Sequence, residues 1–167
     1  MNKIEGIDLG SGANPKCTIG IDIYSYLGVI KADLAFEPIP FPDNSQPYVW
    51  AKDFLEHIPV CVYWCENGHG IKWNRRYCRI ELMKEIYRVL KPGGVFESLT
   101  PRFGLNSDTG WARDPTHQGP PWTAETFQYF CGGYKEITPS YGIDFAFKLD
   151  KIEEGIGHVF ARLIKPS

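Results

Sequence analysis

Ile7–Pro15 reads IDLGSGANP, and the interpretation of the whole chain turns on that stretch. Ile7 and Leu9 form an aliphatic stub that runs into Gly10 and Gly12, then Ala13, Asn14 and Pro15. Glycines at this spacing let a backbone approach a ligand with no Cβ in the way. Three readings are open at this point: a phosphate cradle, a nucleoside turn, or a tight turn that holds nothing. Downstream, Asp22 closes a stretch, TIGIDIY, that alternates in the manner of a strand. In a parallel α/β sheet ligands collect at the carboxyl ends of the strands. A carboxylate placed there accepts hydrogen bonds from both hydroxyls of a ribose.

A dinucleotide site needs G-x-G-x-x-G leading into a helix whose N-terminus holds the pyrophosphate. Pro15 occupies the third glycine position, and nine residues separate Gly12 from Asp22. That is too short for a full crossover helix, so NAD is disfavoured. No G-K-[ST] follows the glycines, which excludes a P-loop.

Around this stretch the remaining sequence alternates between strand-like and helix-like periods, the pattern of an α/β sheet. Residues 4–9, 18–24, 28–34, 48–54 and 95–100 read as strands. The proline-rich EPIPFPDNSQP between the third and fourth reads as a loop. Ile80, Met83, Tyr87 and Leu90 recur at helical spacing within 74–90. KPGG then stops that helix. Residues 101–122 read as a long irregular segment, and Thr123 as the N-cap of a short helix. IDFAFKL and HVFARLI, flanking EEGIG, read as an antiparallel hairpin. The expected architecture is a Rossmann-like, mostly parallel sheet flanked by helices, with a C-terminal antiparallel hairpin, in one compact domain over 1–167.

Composition bounds the function. The chain of 167 residues carries a formal net charge of −2, and its pI is about 6.1. There is no overall basic field, so no nucleic-acid partner is expected. The opening MNKIEGIDLG lacks the apolar core of a signal peptide, and the longest apolar run, IPVCVYWC, is too short to span a bilayer. A cytoplasmic protein with reduced cysteines and no membrane partner is expected. Cys61, Cys65, His69 and Cys78 carry metal-ligating side chains, but the spacing C-x3-C-x3-H-x8-C lacks a tight knuckle and no metal site is assigned.

In order, IDLGSGANP, IGIDIY, ADLAFEPIPFPDNS, AKDFLEHIP and MKEIYRVLKPGGVF resemble the successive motifs of class I S-adenosylmethionine-dependent methyltransferases of the small methyltransferase-domain type. The resemblance is close over residues 4–100 and looser beyond. It implies S-adenosylmethionine as cofactor. The turn at Asp8, Gly10 and Gly12 would wrap the methionine moiety, Asp22 would hold the ribose, and Asp33 with Leu34 would flank the adenine. Asp53 would face cofactor and substrate. The chain departs from the pattern in its short first crossover, in starting almost at the first strand, and in CVYWCENGHGIKWNRRYC, which reads as an insertion.

RDPTHQGPPW, residues 113–122, resembles a family loop that lies over the reactive end of the cofactor. His117 would there shape or deprotonate an acceptor, as an imidazole suits a general base; the alternative is an ordinary capped turn. Glu56 and His57 follow Asp53 but form no assigned catalytic pair. The D/N-P-P-Y motif of amino-methylating DNA enzymes is replaced by KDFLEH. A small-molecule or sugar-like acceptor is therefore expected; Trp111, Trp122, Phe127, Tyr129 and Phe130 either wall its pocket or serve the core or an interface. The competing reading is a non-catalytic nucleoside-cofactor-binding module that acts with a partner subunit.

Overall fold

A computed structural model describes residues 3–68, 70–102 and 114–167, with residues 65–73 described through their backbone only. One sheet organises them, in the order β3-β2-β1-β4-β7-β9-β8. Its strands are β1 (Ile4–Leu9), β2 (Cys17–Asp22), β3 (Val29–Lys31), β4 (Gln46–Lys52), β7 (Leu90–Pro101), β8 (Lys148–Glu154) and β9 (His158–Ile164). The first five pair in parallel, and β9 runs antiparallel to both β7 and β8. The strand order reverses beside β1, and ligands of such sheets bind at that switch point.

The expected absence of a first crossover helix holds. Residues 10–16 alone link β1 to β2, whose register pairs Ile7 with Ile19 and Leu9 with Ile21. The turn lies flat against β2, because a Cβ at Gly20 would stand 2.5 Å from Ser11 Oγ and 3.0 Å from Pro15 Cβ.

Helical structure is sparse among the described residues. Helix α1 (Cys78–Val89) and the short α2 (Ala124–Gln128) are the α-helices among the described residues. Leu82, Met83, Ile86 and Val89 of α1 bury against Ile7, Leu9, Val49, Ala51 and Phe96 in one core. Along β4, β7 and β9 this set alternates with Tyr48, Trp50, Glu97, Leu99, Phe160 and Arg162, all only half-buried. The period-2 alternation leaves one face of the sheet buried and the other, among the described residues, half-buried. Helix α1 also fixes the proline-rich loop: Glu85 accepts from Ile39 N (2.9 Å), and Arg88 donates to the carbonyls of Ile39 and Phe41 (2.9 and 2.8 Å).

Several boundaries differ from expectation: the third strand spans only Val29–Lys31, and β7 starts at Leu90 and takes in KPGG. Residues 74–76 belong to a strand, β6 (Gly70–Arg76), paired with β5 (Val62–Gly68), so the segment that reads as an insertion is a β-hairpin and α1 starts at Cys78. The fourth strand ends at Lys52, and 55–57 form a 3₁₀ turn. Ile143–Phe147 are not a strand: Ile143 and Phe147 are buried, and Phe147 N donates to Phe130 O (2.8 Å), leaving the hairpin strand to begin at Lys148. Thr123 does cap α2, in a reciprocal box with Thr126. No helix among the described residues is long and apolar enough to cross a membrane.

Candidate functional site

The carboxyl ends of β1, β2, β3 and β4 open onto a cleft of about 510 Å³. Gly10, Gly12, Asp22, Asp33, Leu34 and Asp53 stand on its lining, as the sequence reading places them. Asp8 and His117 do not, and His57 and Thr116 do.

One wall is built from backbone. Gly10 N and Ser11 N both donate to Ile21 O, at 2.9 and 3.2 Å. Asp22 Oδ2 accepts from Gly12 N at 2.8 Å and Oδ1 from Tyr24 N at 2.9 Å, so its carboxylate orients the turn and keeps further lone pairs for a ligand. Gly10 (φ +65°) and Gly12 (φ +55°) lie in the left-handed region. A Cβ on Gly10 would stand 2.5 Å from Phe54 Cδ2, whereas one on Gly12 would meet nothing within 4 Å. Asp8 serves this wall from behind: its buried carboxylate accepts from Lys16 N and pins the end of the turn. Burial raises its carboxyl above the usual carboxylate range, against the lowering effect of that hydrogen bond. Asp33 Oδ1 accepts from Ala35 N (3.1 Å) and starts a tight turn that presents Leu34. Asp53, at the end of β4, also lies in the left-handed region (φ +49°), which a short polar side chain tolerates. Its Oδ1 sits 3.2 Å from His158 Nε2.

The opposite wall is built from side chains on two segments far apart in sequence. The 3₁₀ turn Leu55–His57 meets the loop 114–122. Arg79, almost wholly buried, clamps them together: Nε donates to Ile58 O (3.0 Å), one terminal nitrogen to Pro120 O (2.7 Å) and the other to Gln118 O. Trp122 Nε1 donates to Leu55 O at 3.1 Å, and Gln118 N to Glu56 O at 2.8 Å.

This clamp brings the rings of His57 and His117 edge to face, with centroids 4.9 Å apart. Asp114 Oδ1 lies 2.6 Å from Thr116 Oγ1 and 2.8 Å from Thr116 N. Those two hydrogen bonds hold the Asp114 carboxyl below its usual range. An ionised carboxylate only accepts, so the Thr116 hydroxyl donates to Asp114. The hydroxyl then accepts from His57 Nδ1–H at 3.0 Å, which directs Nε2 of the ring away from this contact. Asp114 Oδ2 is 3.8 Å from His117 Nε2. Behind the pair, Glu56 is fully buried. Its Oε2 accepts from Thr100 Oγ1 (3.1 Å), and its Oε1 has no hydrogen-bond partner. Burial pushes the Glu56 carboxyl up to about 7.

Among the described residues, the aromatic rings read as either an acceptor wall or core do not line this cleft. Trp122, Phe127 and Phe130 are core residues, with Trp122 packed on both phenylalanines. Tyr129 stacks on Tyr134 (4.3 Å). Trp111 lies outside the described residues, as do the Cys65 side chain and His69 of the cysteine-rich segment. Cys61 and Cys78 direct their thiols at the carbonyls of Val62 and Arg76.

No family model and no curated protein matches the chain. Solved structures do match. A SAM-dependent methyltransferase from Archaeoglobus fulgidus is similar over 98% of this chain and 87% of its own, at TM-score 0.61 and 16% identity. A structure of the Haloferax volcanii Trm112 methyltransferase activator in complex with a methyltransferase matches over 99% and 84%, at TM-score 0.60 and 14% identity. The [4+2]-cyclase SpnF matches over 98% and 76%, at TM-score 0.54 and 14% identity. At these identities the likeness is one of fold.

Proposed function

For a chain with the fold of the SAM-dependent methyltransferases, we propose methyl transfer from S-adenosylmethionine to a small-molecule or sugar-like acceptor bound against the His57 wall. One observation carries this reading: Gly10, Gly12, Asp22 and Asp33 converge on one cleft at the sheet's switch point. Its volume of about 510 Å³ suits a nucleoside with an amino-acid tail and the edge of an acceptor. In this reading Gly10 and Gly12 approach the methionine moiety, Asp22 accepts from the ribose hydroxyls, and Asp33 and Leu34 flank the adenine. Asp8 acts through the turn it pins.

The reaction needs little more than alignment. S-adenosylmethionine, when bound, would supply a methyl group already activated on sulfur, and the part of the protein is to hold acceptor oxygen, methyl carbon and sulfur in line. A cleft that holds the three atoms in line removes much of the entropic barrier. The acceptor proton leaves to Asp53 at the end of β4 or to the His57/His117 pair of the opposite wall. A cytoplasmic setting accords with free thiols at Cys17, Cys61, Cys78 and Cys131.

Calorimetry with S-adenosylmethionine, S-adenosylhomocysteine and NAD tests the cofactor. Heat with both sulfur nucleosides, weakened at least about tenfold in Asp22→Ala through loss of charged-acceptor hydrogen bonds, supports it; heat with NAD alone overturns it. A second reading, a cofactor-binding module activated by another subunit, is favoured by the half-buried sheet face of Tyr48, Trp50 and Phe160 and by the activator in one neighbour's complex. Binding of the cofactor without transfer to any member of a broad acceptor panel would select it.

A further inference from the structure

The cluster behind the acceptor wall is more than a pair of stacked rings. Glu56, His57 and His117 each offer one ligand atom, and these atoms lie within 4.8 Å of one another. We propose that they form a binding site for one divalent transition-metal ion at the acceptor end of the cleft.

Four observations point to a cation. First, Glu56 is 0% exposed and its Oε1 has no partner; a buried carboxylate oxygen left unpaired is costly, and a cation removes that cost. The nearby guanidinium does not satisfy it, because Arg79 directs its described hydrogen bonds to the carbonyls of Ile58, Gln118 and Pro120. Second, the donor set of two imidazoles and one carboxylate suits Mn, Fe, Co or Zn rather than Ca or Mg. Third, His57 is backed by a carboxylate: Asp114 reaches it through the Thr116 hydroxyl, and stands 3.8 Å, beyond hydrogen-bond distance, from His117 Nε2. A carboxylate behind a ligating histidine fixes its tautomer and raises its basicity. Fourth, three protein ligands leave coordination positions open, and His57, the one of them on the cleft lining, sets the site at the edge of the cleft.

A cation in such a site lowers the pKa of an oxygen brought to it. This deepens the reading above and rests on it for its use: the acceptor class narrows to hydroxyl compounds, with a vicinal diol able to fill two positions. The proton then leaves to Asp53, since the imidazoles are engaged as ligands.

The test uses the full chain, purified without a polyhistidine tag and dialysed against EDTA. Cobalt(II) chloride is titrated in, followed by visible absorption and calorimetry, with zinc as competitor. The expected result is one saturable equivalent, with affinity reduced at least about a hundredfold in Glu56→Gln and His117→Ala and about tenfold in Asp114→Asn. Cys61→Ser leaves it unchanged. Absence of a saturable equivalent, or Glu56→Gln and His117→Ala binding cobalt as the parent does, overturns the proposal. Circular dichroism and thermal unfolding confirm that each variant is folded, and a variant that fails to fold is replaced by His57→Gln under the same criterion. S-adenosylhomocysteine binding to the EDTA-treated protein is measured alongside. If it binds and cobalt does not, the metal site falls alone; if cobalt binds and it does not, the cofactor reading falls and the site stands.

Discussion

The two walls of the cleft are made by different means. The glycine wall is local: Asp8, Gly10, Gly12 and Asp22 lie within fifteen residues and act largely through backbone hydrogen bonds. The histidine wall is assembled across sixty residues, and a single guanidinium holds its halves together. A wall of the first kind is fixed as soon as two adjacent strands pair. A wall of the second kind exists only once the loop has docked, so it can be removed without dismantling the first.

Arg79→Met should show the largest effect. It keeps the aliphatic stem but orphans the carbonyls of Ile58, Gln118 and Pro120, at a cost of about 4 kcal/mol in urea unfolding. Cobalt binding should be lost while S-adenosylhomocysteine affinity changes less than about twofold. Equal loss of both would show that the walls are not independent.

The reciprocal change is Gly10→Ala. Its Cβ would stand 2.5 Å from Phe54 Cδ2 at φ +65°, combining a steric clash with a left-handed alanine. About 3 kcal/mol of stability should go, with the sulfur nucleoside affinity. Gly12→Ala meets only the second penalty, because nothing lies within 4 Å of its Cβ. About 1 kcal/mol is expected there, with the loss concentrated in binding because that empty space is the cleft. If the two substitutions cost the same stability, steric contact with Phe54 is not what Gly10 avoids.

The same contrast explains what the sequence made legible. The glycine pair, the acid at Asp22 and the short spacing between them that leaves no room for a crossover helix are all local signals; Gly10, Gly12 and Asp22 lie on the cleft and residues 10–16 alone join β1 to β2. The strand series was legible because buried β-strands carry their own alternation. The histidine wall was half legible. The loop containing Asp114, Thr116 and His117 was marked out by its irregular composition, but pairing it with Glu56 and His57 depends on the Arg79 clamp, which no short window contains. Even so, an acid followed by LEH at the end of a cleft strand was a signal that could have been followed. Ile143–Phe147 alternate like a strand, yet their side chains reach the core from a coil, since Tyr87 and Phe147 pack at 5.0 Å. Alternation reports burial on one side, not the ladder itself.

The smallest predicted effect separates pinning a wall from touching a ligand. Asp8 is buried, and burial raises its carboxyl above the usual value of 3.8. A raised acid binds its proton more tightly when folded, so its contribution to stability is complete below pH 3.8 and declines as pH climbs through the folded value. Asp8→Asn keeps an oxygen to accept from Lys16 N and removes the titration. The difference in unfolding free energy between parent and variant should therefore shift in favour of Asn as pH rises from about 4 toward 7, by at most about 1.4 kcal/mol per pH unit. The affinity for S-adenosylhomocysteine should stay within about threefold, the size expected when no hydrogen bond to the ligand is lost. A pH-independent difference would mean that the Asp8 carboxyl is not held above its ordinary range. A collapse in affinity at unchanged stability would put Asp8 against the ligand, and the glycine wall would then present the Asp8 carboxylate as well as that of Asp22.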